Sequence, residues 1–364
     1  MRITAAVSRP GAPAPVLEQV ELAGPRDDEI RVRMVAVGIC YTDLHAHAGM
    51  LAPLPIVLGH EGAGVVEAVG SRVSGLAPGD HVILSGSSCG HCPNCDAARP
   101  SYCDTAMPRS FGGARMDRRT ALSAGGEALH SHFFGQSSFA THAICPARTA
   151  VMVPADLPLE KLAALGCGVI TGAGAVIEAL RPGYGDSIAI FGVGGVGLSA
   201  VMAARLMGVS RIIAVDVNAE RLALARDLGA TDTLESSADV AQQIRALTGR
   251  GVTHSFNSTT VPAIHTAALE CLAMRGVAGF VSAPRGEWTP AMFPMLGGGR
   301  TLRGILGGDA EPATFLPRLI EYWRQGRFPF DRLLQYYRFS QIAEAFADTA
   351  AGRAIKPVLL FEGD

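Results

Sequence analysis

The chain has 364 residues, of which 48% are hydrophobic and 18% charged, with a formal net charge of −2. That length favours two domains, and the apolar share is enough to fill substantial cores. The near-neutral balance offers no electrostatic grip on nucleic acid or on an anionic membrane, and no apolar run approaches the ~20 residues that span a bilayer.

The first residues, MRITAAVSRPGAPAP, lack the continuous apolar core of a signal peptide, so a cytosolic address is expected. In that compartment clustered cysteines bind metal or do chemistry more often than they form disulfides. Short alternating segments such as 30-IRVRMVAVGI and 63-AGVVEAVG, punctuated by Gly and Pro, predict a mostly antiparallel β domain. Near them lie CYTDLH at 40–45 and GHEG at 59–62. Cys40, His60 and a third soft ligand would bind a zinc ion and leave its fourth position open. Taken singly, Cys40 also reads as a core thiol at a strand end and His60 as a turn histidine. Their joint presence in a chain that carries a dinucleotide motif favours the metal.

Residues 89–103 read CGHCPNCDAARPSYC, a C-x2-C-x2-C-x7-C spacing. Two-residue gaps let successive sulfurs face one ion, and Cys103 closes a tetrahedron with Cys89, Cys92 and Cys95. A closed four-thiolate zinc site is the reading, with an iron–sulfur cluster as its rival; the last gap departs from the ferredoxin run. Such a site has no place for substrate, so it staples a loop. Cys145 and Cys271 read as small buried hydrophobes.

A second signal begins at 186-DSIAIFGVGGVG. The strand 188-IAIF runs into Gly192-x-Gly194-x-x-Gly197, followed by a helical stretch, LSAVMAARLMG, and the strand 211-RIIAVD. The glycines permit a tight turn and close approach of a pyrophosphate to a helix N-terminus. Asp216 falls 19 residues after Gly197, where an acid bonds the adenosine ribose hydroxyls and favours NAD over NADP. Arg221, on the following helix, flanks that ribose and is the one residue that would suit a 2′-phosphate. Strands at 252-VTHSFN, 277-VAGFVS and 302-LRGIL, with helices near 237–248 and 262–274, predict a doubly wound parallel sheet. The tail, 339-FSQIAEAFADTAAGRAIKPVLLF, reads as a helix, a glycine stop and a last strand.

On these residues the chain resembles the zinc-dependent medium-chain alcohol dehydrogenases. GHEGAGVVEAVG, the four-cysteine lobe, 166-GCGVITGAGAV and FGVGGVG occur in the family's order and at its spacing, over nearly the whole length. Within that family, 133-FFGQSSFATHA and GRAIKPVLLF are most similar to the aryl (benzyl) alcohol dehydrogenases. The resemblance implies a GroES-like, mostly antiparallel β catalytic domain over 1–168 and 308–364, and a Rossmann NAD-binding domain over 169–307. It implies two zinc ions per subunit, one structural on the four-cysteine lobe and one catalytic on Cys40, His60 and Cys167. It makes Glu61 the acid that approaches the metal during ligand exchange, and Asp43 the carboxylate that orients a histidine ligand. Thr42 is the hydroxyl that bonds the alcohol, and His45 the outer end of a proton relay, a role that suits imidazole. Hydride passes to the nicotinamide of NAD.

Cofactor contacts follow as Gly192, Gly194, Gly195, Val196, Gly197, Asp216 and Arg221, with Thr171 near the nicotinamide. Lys356 is either a basic residue near the pyrophosphate or a solvated surface lysine. Tyr41 departs from the family, several members of which place an arginine or histidine there against the pyrophosphate; faster NADH release is expected. Met50, Ser85, Phe133 and Phe134 are expected to line the pocket, with both phenylalanines alternatively plain core. The implied substrate is an aryl or allylic primary alcohol and its aldehyde, and the implied assembly a homodimer or homotetramer joined near 302-LRGIL. Two readings stand beside this one. The first is a same-family dehydrogenase for a larger natural-product or thiol-adduct substrate. The second is a zinc-stapled NAD-binding sensor or adaptor without turnover, against which Cys40, Thr42, His45, His60 and Cys167 all argue.

Overall fold

The computed structural model describes residues 1–361. Packing divides the chain into two units. The first holds residues 1–167, 311–317 and the chain from 331 onward. One of its sheets runs Ile56–Val57, Arg2–Ser8, Val16–Leu22, Leu122–Ala124, Glu127–Leu129, antiparallel throughout. The other runs Ala150–Val153, His81–Leu84, Gly62–Val69, Glu29–Gly38, Lys356–Leu360, Leu334–Arg338, and His142–Pro146 also pairs with Glu29–Gly38. Only its last two strands pair in parallel.

The strand Glu29–Gly38 shows why this part folds as β. Ile30, Val32, Met34 and Ala36 are buried at every second position, the period of a pleated strand. Arg31 and Arg33, on the alternate positions, both reach Glu67, at 3.2 and 3.7 Å. The inward residues pack with Val66, Val82, Leu84 and Cys145. A second core gathers Leu58, Phe133, Phe139 and Phe346, directly behind the loop that carries His60.

The second unit holds residues 168–310 and 318–330. Its six-stranded sheet runs Asp232–Glu235, Arg211–Asp216, Ser187–Phe191, Val252–Asn257, Leu272–Phe280, Thr301–Gly304, parallel at every pair. In chain order that is 3-2-1-4-5-6, the doubly wound arrangement whose crevice lies where the order reverses, beside Ser187–Phe191. The glycine turn leaves that strand and opens the helix Gly195–Leu206. Cys271 lies fully buried in this unit's core and Cys145 in that of the first. Burial pushes both thiols up to about 12, so both are inert apolar residues.

Two elements differ from the sequence reading. The helix expected over 262–274 stops at Glu270, and a strand already begins at Leu272. Leu272 pairs with Val252, and Arg275 adopts a left-handed φ of 61° where the strand's register shifts. Sheet pairing there outweighs the local helical pattern. The strand Asp232–Glu235 carries no apolar run, and nothing in its composition announces it. No single helix among the described residues is long and apolar enough to cross a membrane.

Candidate active site

The site is built around one short helix. Cys40 is the N-cap of Tyr41–His47 and keeps extended backbone angles. The backbone amide of Cys40 donates to Asp43 Oδ2 at 2.9 Å, half of a capping-box pattern. The other oxygen of the same fully buried carboxylate accepts from the Gly59 amide at 3.1 Å and pairs with His60 Nδ1 at 3.0 Å. Asp43 therefore ties the turn bearing Cys40 to the loop bearing His60. Gly59 has φ +90°, and a Cβ there would sit 2.5 Å from the Phe139 amide nitrogen, so only glycine fits.

With Nδ1 turned to a carboxylate, the imidazole presents Nε2 as its free lone pair. That atom is buried and has no hydrogen-bond partner. A Cys40 sulfur, a Cys167 sulfur and a Glu61 oxygen converge on it, all four ligand atoms lying within 4.8 Å of one another. An orphaned buried nitrogen facing two sulfurs fits a zinc ion. The proton affinities agree. The hydrogen bond from Cys167 holds the Cys40 thiol well below its ordinary value, and Cys40 in turn pushes Cys167 well above. Burial opposes charge on His60, but Asp43 and Cys40 raise it to about 10. Cys40, His60 and Cys167 would hold a metal at the centre, which would displace the protons these groups share.

The sequence reading missed Gln136. It is 1% exposed, and its Nε2 donates to the carbonyls of His60 and Ser85 at 3.0 and 3.1 Å while its Oε1 accepts from the Gly62 amide at 3.2 Å. Ser137 Oγ accepts from the Phe133 amide at 3.0 Å and donates to the Val57 carbonyl at 2.5 Å. Together they lock the loop 133–138 onto the loop that carries His60. The only signal in sequence is a polar QSS run between aromatic residues. In the same loop Phe134 stacks on the His60 ring at 4.5 Å and 20°.

The four-cysteine lobe forms a second cluster. The sulfurs of Cys89, Cys92, Cys95 and Cys103 lie within 4.8 Å of one another. Backbone amides of Cys89 and Gly90 donate to the sulfurs of Cys103 and Cys95 at 3.1 and 3.4 Å. Burial pushes the Cys103 thiol up, but hydrogen bonds from Thr105 and the Cys89 amide bring it down to about 6. Four converging sulfurs suit a closed zinc site.

In the second unit, Gly192 has φ +80°, and a Cβ on Gly197 would overlap the Gly192 carbonyl oxygen. Gly194 faces open space, the Arg221 guanidinium being the nearest group at 4.0 Å. Asp216 holds the turn from below, accepting from the Val193 amide at 2.7 Å and the Asn218 amide at 3.0 Å. Each oxygen keeps a lone pair for a ribose hydroxyl, so these residues fit a dinucleotide.

Residues 26–155 match the alcohol dehydrogenase GroES-like domain, and residues 195–321 match the zinc-binding dehydrogenase family. The chain is 49% identical over 356 residues to the geraniol dehydrogenase of Castellaniella defragrans, covering 96% of this chain and 95% of that protein. This chain belongs to the zinc-dependent medium-chain alcohol dehydrogenases. Zinc and NAD are the cofactors of this alcohol dehydrogenase. A zinc-binding alcohol dehydrogenase domain protein from Burkholderia ambifaria superposes with a TM-score of 0.97 at 48% identity, over 100% of both chains. The benzyl alcohol dehydrogenase of Acinetobacter calcoaceticus superposes at 0.96 with 39% identity, again over 100% of both.

The remaining residues of this alcohol dehydrogenase fall as follows. Thr42 Oγ1 lies 3.6 Å from Cys40 Sγ, and His45 is half-buried one turn further on. His47 is tied by both ring nitrogens, to Ser8 Oγ at 3.0 Å and the Ala12 carbonyl at 2.9 Å. Tyr41 is half exposed, and its hydroxyl donates to the Thr349 carbonyl at 3.0 Å. Phe133 is fully buried core, Ser85 donates to the Gly166 carbonyl at 3.0 Å, and Met50 is 63% exposed. Thr171 and Val196 flank Gly172, where a Cβ would overlap the Val196 carbonyl oxygen. Lys356 corrects one expectation. It is no surface lysine: it is 4% exposed, ion-paired with Glu61, and donates to the Ile39 carbonyl at 3.2 Å. The carboxylate buried beside it outweighs hydration as its partner.

Proposed function

We propose that this enzyme interconverts primary alcohols whose carbinol carbon adjoins a π-system, aryl or allylic, with their aldehydes, using NAD. The carrying observation is the joint likeness, at 49% and 39% identity over essentially the whole chain, to a geraniol and a benzyl alcohol dehydrogenase. Geraniol is allylic and benzyl alcohol aryl, and both are primary alcohols. Phe134, packed flat on His60, offers an aromatic wall of the kind such a substrate stacks on.

The residues divide the work. Cys40, His60 and Cys167 hold the catalytic zinc, which when bound supplies the positive charge that makes an alcohol acidic. Asp43 fixes the tautomer and aim of His60. Thr42 takes the hydroxyl proton and passes it outward, with His45 as its last acceptor. His47, bound at both nitrogens, is unsuited to that task. Asp216 and the glycine turn orient NAD to receive the hydride, and the four-cysteine zinc keeps its lobe in shape. The catalytic domain corresponds to 1–168 and 308–364 and the NAD domain to 169–307, except that 308–310 and 318–330 pack with the NAD-binding unit.

We also infer a homodimer or homotetramer joined at the edge strand Thr301–Gly304. Thr301 and Leu302 are exposed there, and Phe293, on the helix just before it, is 85% exposed; a bare edge strand and an exposed apolar side chain beside it favour pairing. Eight cysteines, none of them in a disulfide among the described residues, suit the reducing cytosol.

The test pairs metal content per subunit with NADH formation on aromatic, allylic and aliphatic alcohols, each with NAD and NADP. Two zincs and highest kcat/KM on aryl or allylic alcohols with NAD are expected. Two zincs without turnover on any of them would sink this substrate class and point to a larger pathway-specific alcohol.

A further inference from the structure

The four-cysteine lobe has a charge that its own residues do not meet. Four thiolates around a divalent zinc leave two negative charges in excess. Within residues 89–103 the other formal charges are one acid, Asp96, and one base, Arg99, and Asp104 just beyond adds a further acid. Two arginines reach the lobe from outside it, each through a hydroxyl. Arg109 Nε donates to Thr105 Oγ1 at 2.9 Å, and that oxygen lies 3.5 Å from Cys103 Sγ. Arg148, 60 residues along the chain from Ser88, donates through Nε to its Oγ at 3.2 Å. Ser88 is 4% exposed. Burial raises the Cys95 thiol, and the Gly90 amide and the Ser88 hydroxyl act against that rise. The Arg148 guanidinium also lies directly over Gly90, which has φ +83° and on which a Cβ would overlap Arg148 Nη1.

We propose that Arg109 and Arg148 are the counter-charges of the structural zinc, each acting on one sulfur, Cys103 or Cys95, through the hydroxyl of Thr105 or Ser88. The donor inventory sets the direction of each relay. A guanidinium only donates, so it takes a lone pair of the hydroxyl oxygen and leaves the hydroxyl hydrogen to turn towards sulfur. A hydrogen bond to an ionised sulfur is of the strong, charge-assisted kind, and a cation behind the donor strengthens it further. Two cations thus meet two excess charges. Both arginines are positioning residues, since neither touches metal, substrate or cofactor. Gly90 belongs to the same device, because a side chain there would lift the guanidinium off the lobe. Arg109 is half-buried and Arg148 exposed, so salt is able to screen what they supply.

This rests on zinc at the four-cysteine lobe, and the experiment separates the two. The zinc-loaded, full-length protein is challenged with EDTA and iodoacetamide, and alkylation of Cys89, Cys92, Cys95 and Cys103 is followed by peptide mass, with Cys40 and Cys167 as the internal control for an intact fold. Arg109→Met and Arg148→Met are each expected to speed alkylation of the lobe about tenfold, and the two together about a hundredfold, because they act on separate sulfurs. Cys40 and Cys167 keep their wild-type rates. Arg109→Met and Thr105→Val, which cut the same relay, are expected to add to less than the sum of their effects. Arg109→Lys and Arg148→Lys, which keep the charge, should retain most of the protection. Raising sodium chloride should speed the wild type and leave the double arginine variant little changed, a response that a packing role would not give. Wild-type rates in both single variants, or one salt response shared by wild type and double variant, would overturn the relays. A wild-type lobe alkylated at once without EDTA would overturn zinc at these cysteines, and the relays with it.

Discussion

Asp43 bonds to both strands of the site at once, and removing its charge is the most direct test of how the ligands are held. In Asp43→Asn one oxygen remains to meet the Gly59 amide, the Cys40 amide and His60 Nδ1, where two now do so. Loss of such an outer partner lowers metal affinity about 10- to 100-fold, which competition with a chelator would read; an unchanged affinity would remove Asp43 from the site's design. Gln136→Ala leaves the Gly62 amide and the His60 and Ser85 carbonyls without their partner. Each unmet buried group costs about 1–3 kcal/mol, so urea unfolding should lose several kcal/mol, with Gln136→Glu losing less than Gln136→Ala. His132 gives a pH signature. Burial lowers it from 6.5 to about 4, so between those values the unfolded chain binds the extra proton. Stability contributed by the neutral ring is present above pH 6.5 and lost as the pH falls towards 4, about 3 kcal/mol in all. In His132→Gln that part of the acid limb should flatten when unfolding is followed from pH 7 to 4.

At the level of elements, the glycine turn and the cysteine lobe each make one demand. A Cβ on Gly197 meets the Gly192 carbonyl, so Gly197→Ala must open the strand–helix turn, and NAD affinity is expected to fall at least tenfold by fluorescence titration while zinc content stays at two. Cys103→Ser removes one of four sulfurs from the lobe; one zinc per subunit should be lost, and the thermal transition should fall. How far these elements were legible follows from what made them. The turn, its flanking strands and Asp216 are contiguous in sequence, and the cysteine spacing spans fifteen residues, so local pattern sufficed. Gln136 was invisible because its partners lie 51 to 76 residues away, and Lys356 because the carbonyl it meets is 317 residues distant. Pairings of that range leave no periodic trace. The start of the strand Leu272–Phe280 was misjudged for a related reason, since its pairing with Val252 rather than its own composition decides it.

At the scale of the whole molecule, the two sheets are assembled in different ways. The six-stranded parallel sheet is finished by Gly304. The sheet behind the metal-facing cluster is not, because Lys356–Leu360 lies between Glu29–Gly38 and Leu334–Arg338. Its first residue is the lysine that meets Glu61. During synthesis the cofactor-binding sheet can therefore form on the ribosome, while the strands around Cys40 and His60 wait for Lys356–Leu360 to leave the exit tunnel. A nascent chain halted near residue 340 would carry a formed Rossmann sheet and, separately, an open, thiol-bearing half-sheet with an unmatched buried acid. The strand Lys356–Leu360 is thus a checkpoint: the sheet that carries the ligand-bearing loops is complete only once that strand has been made.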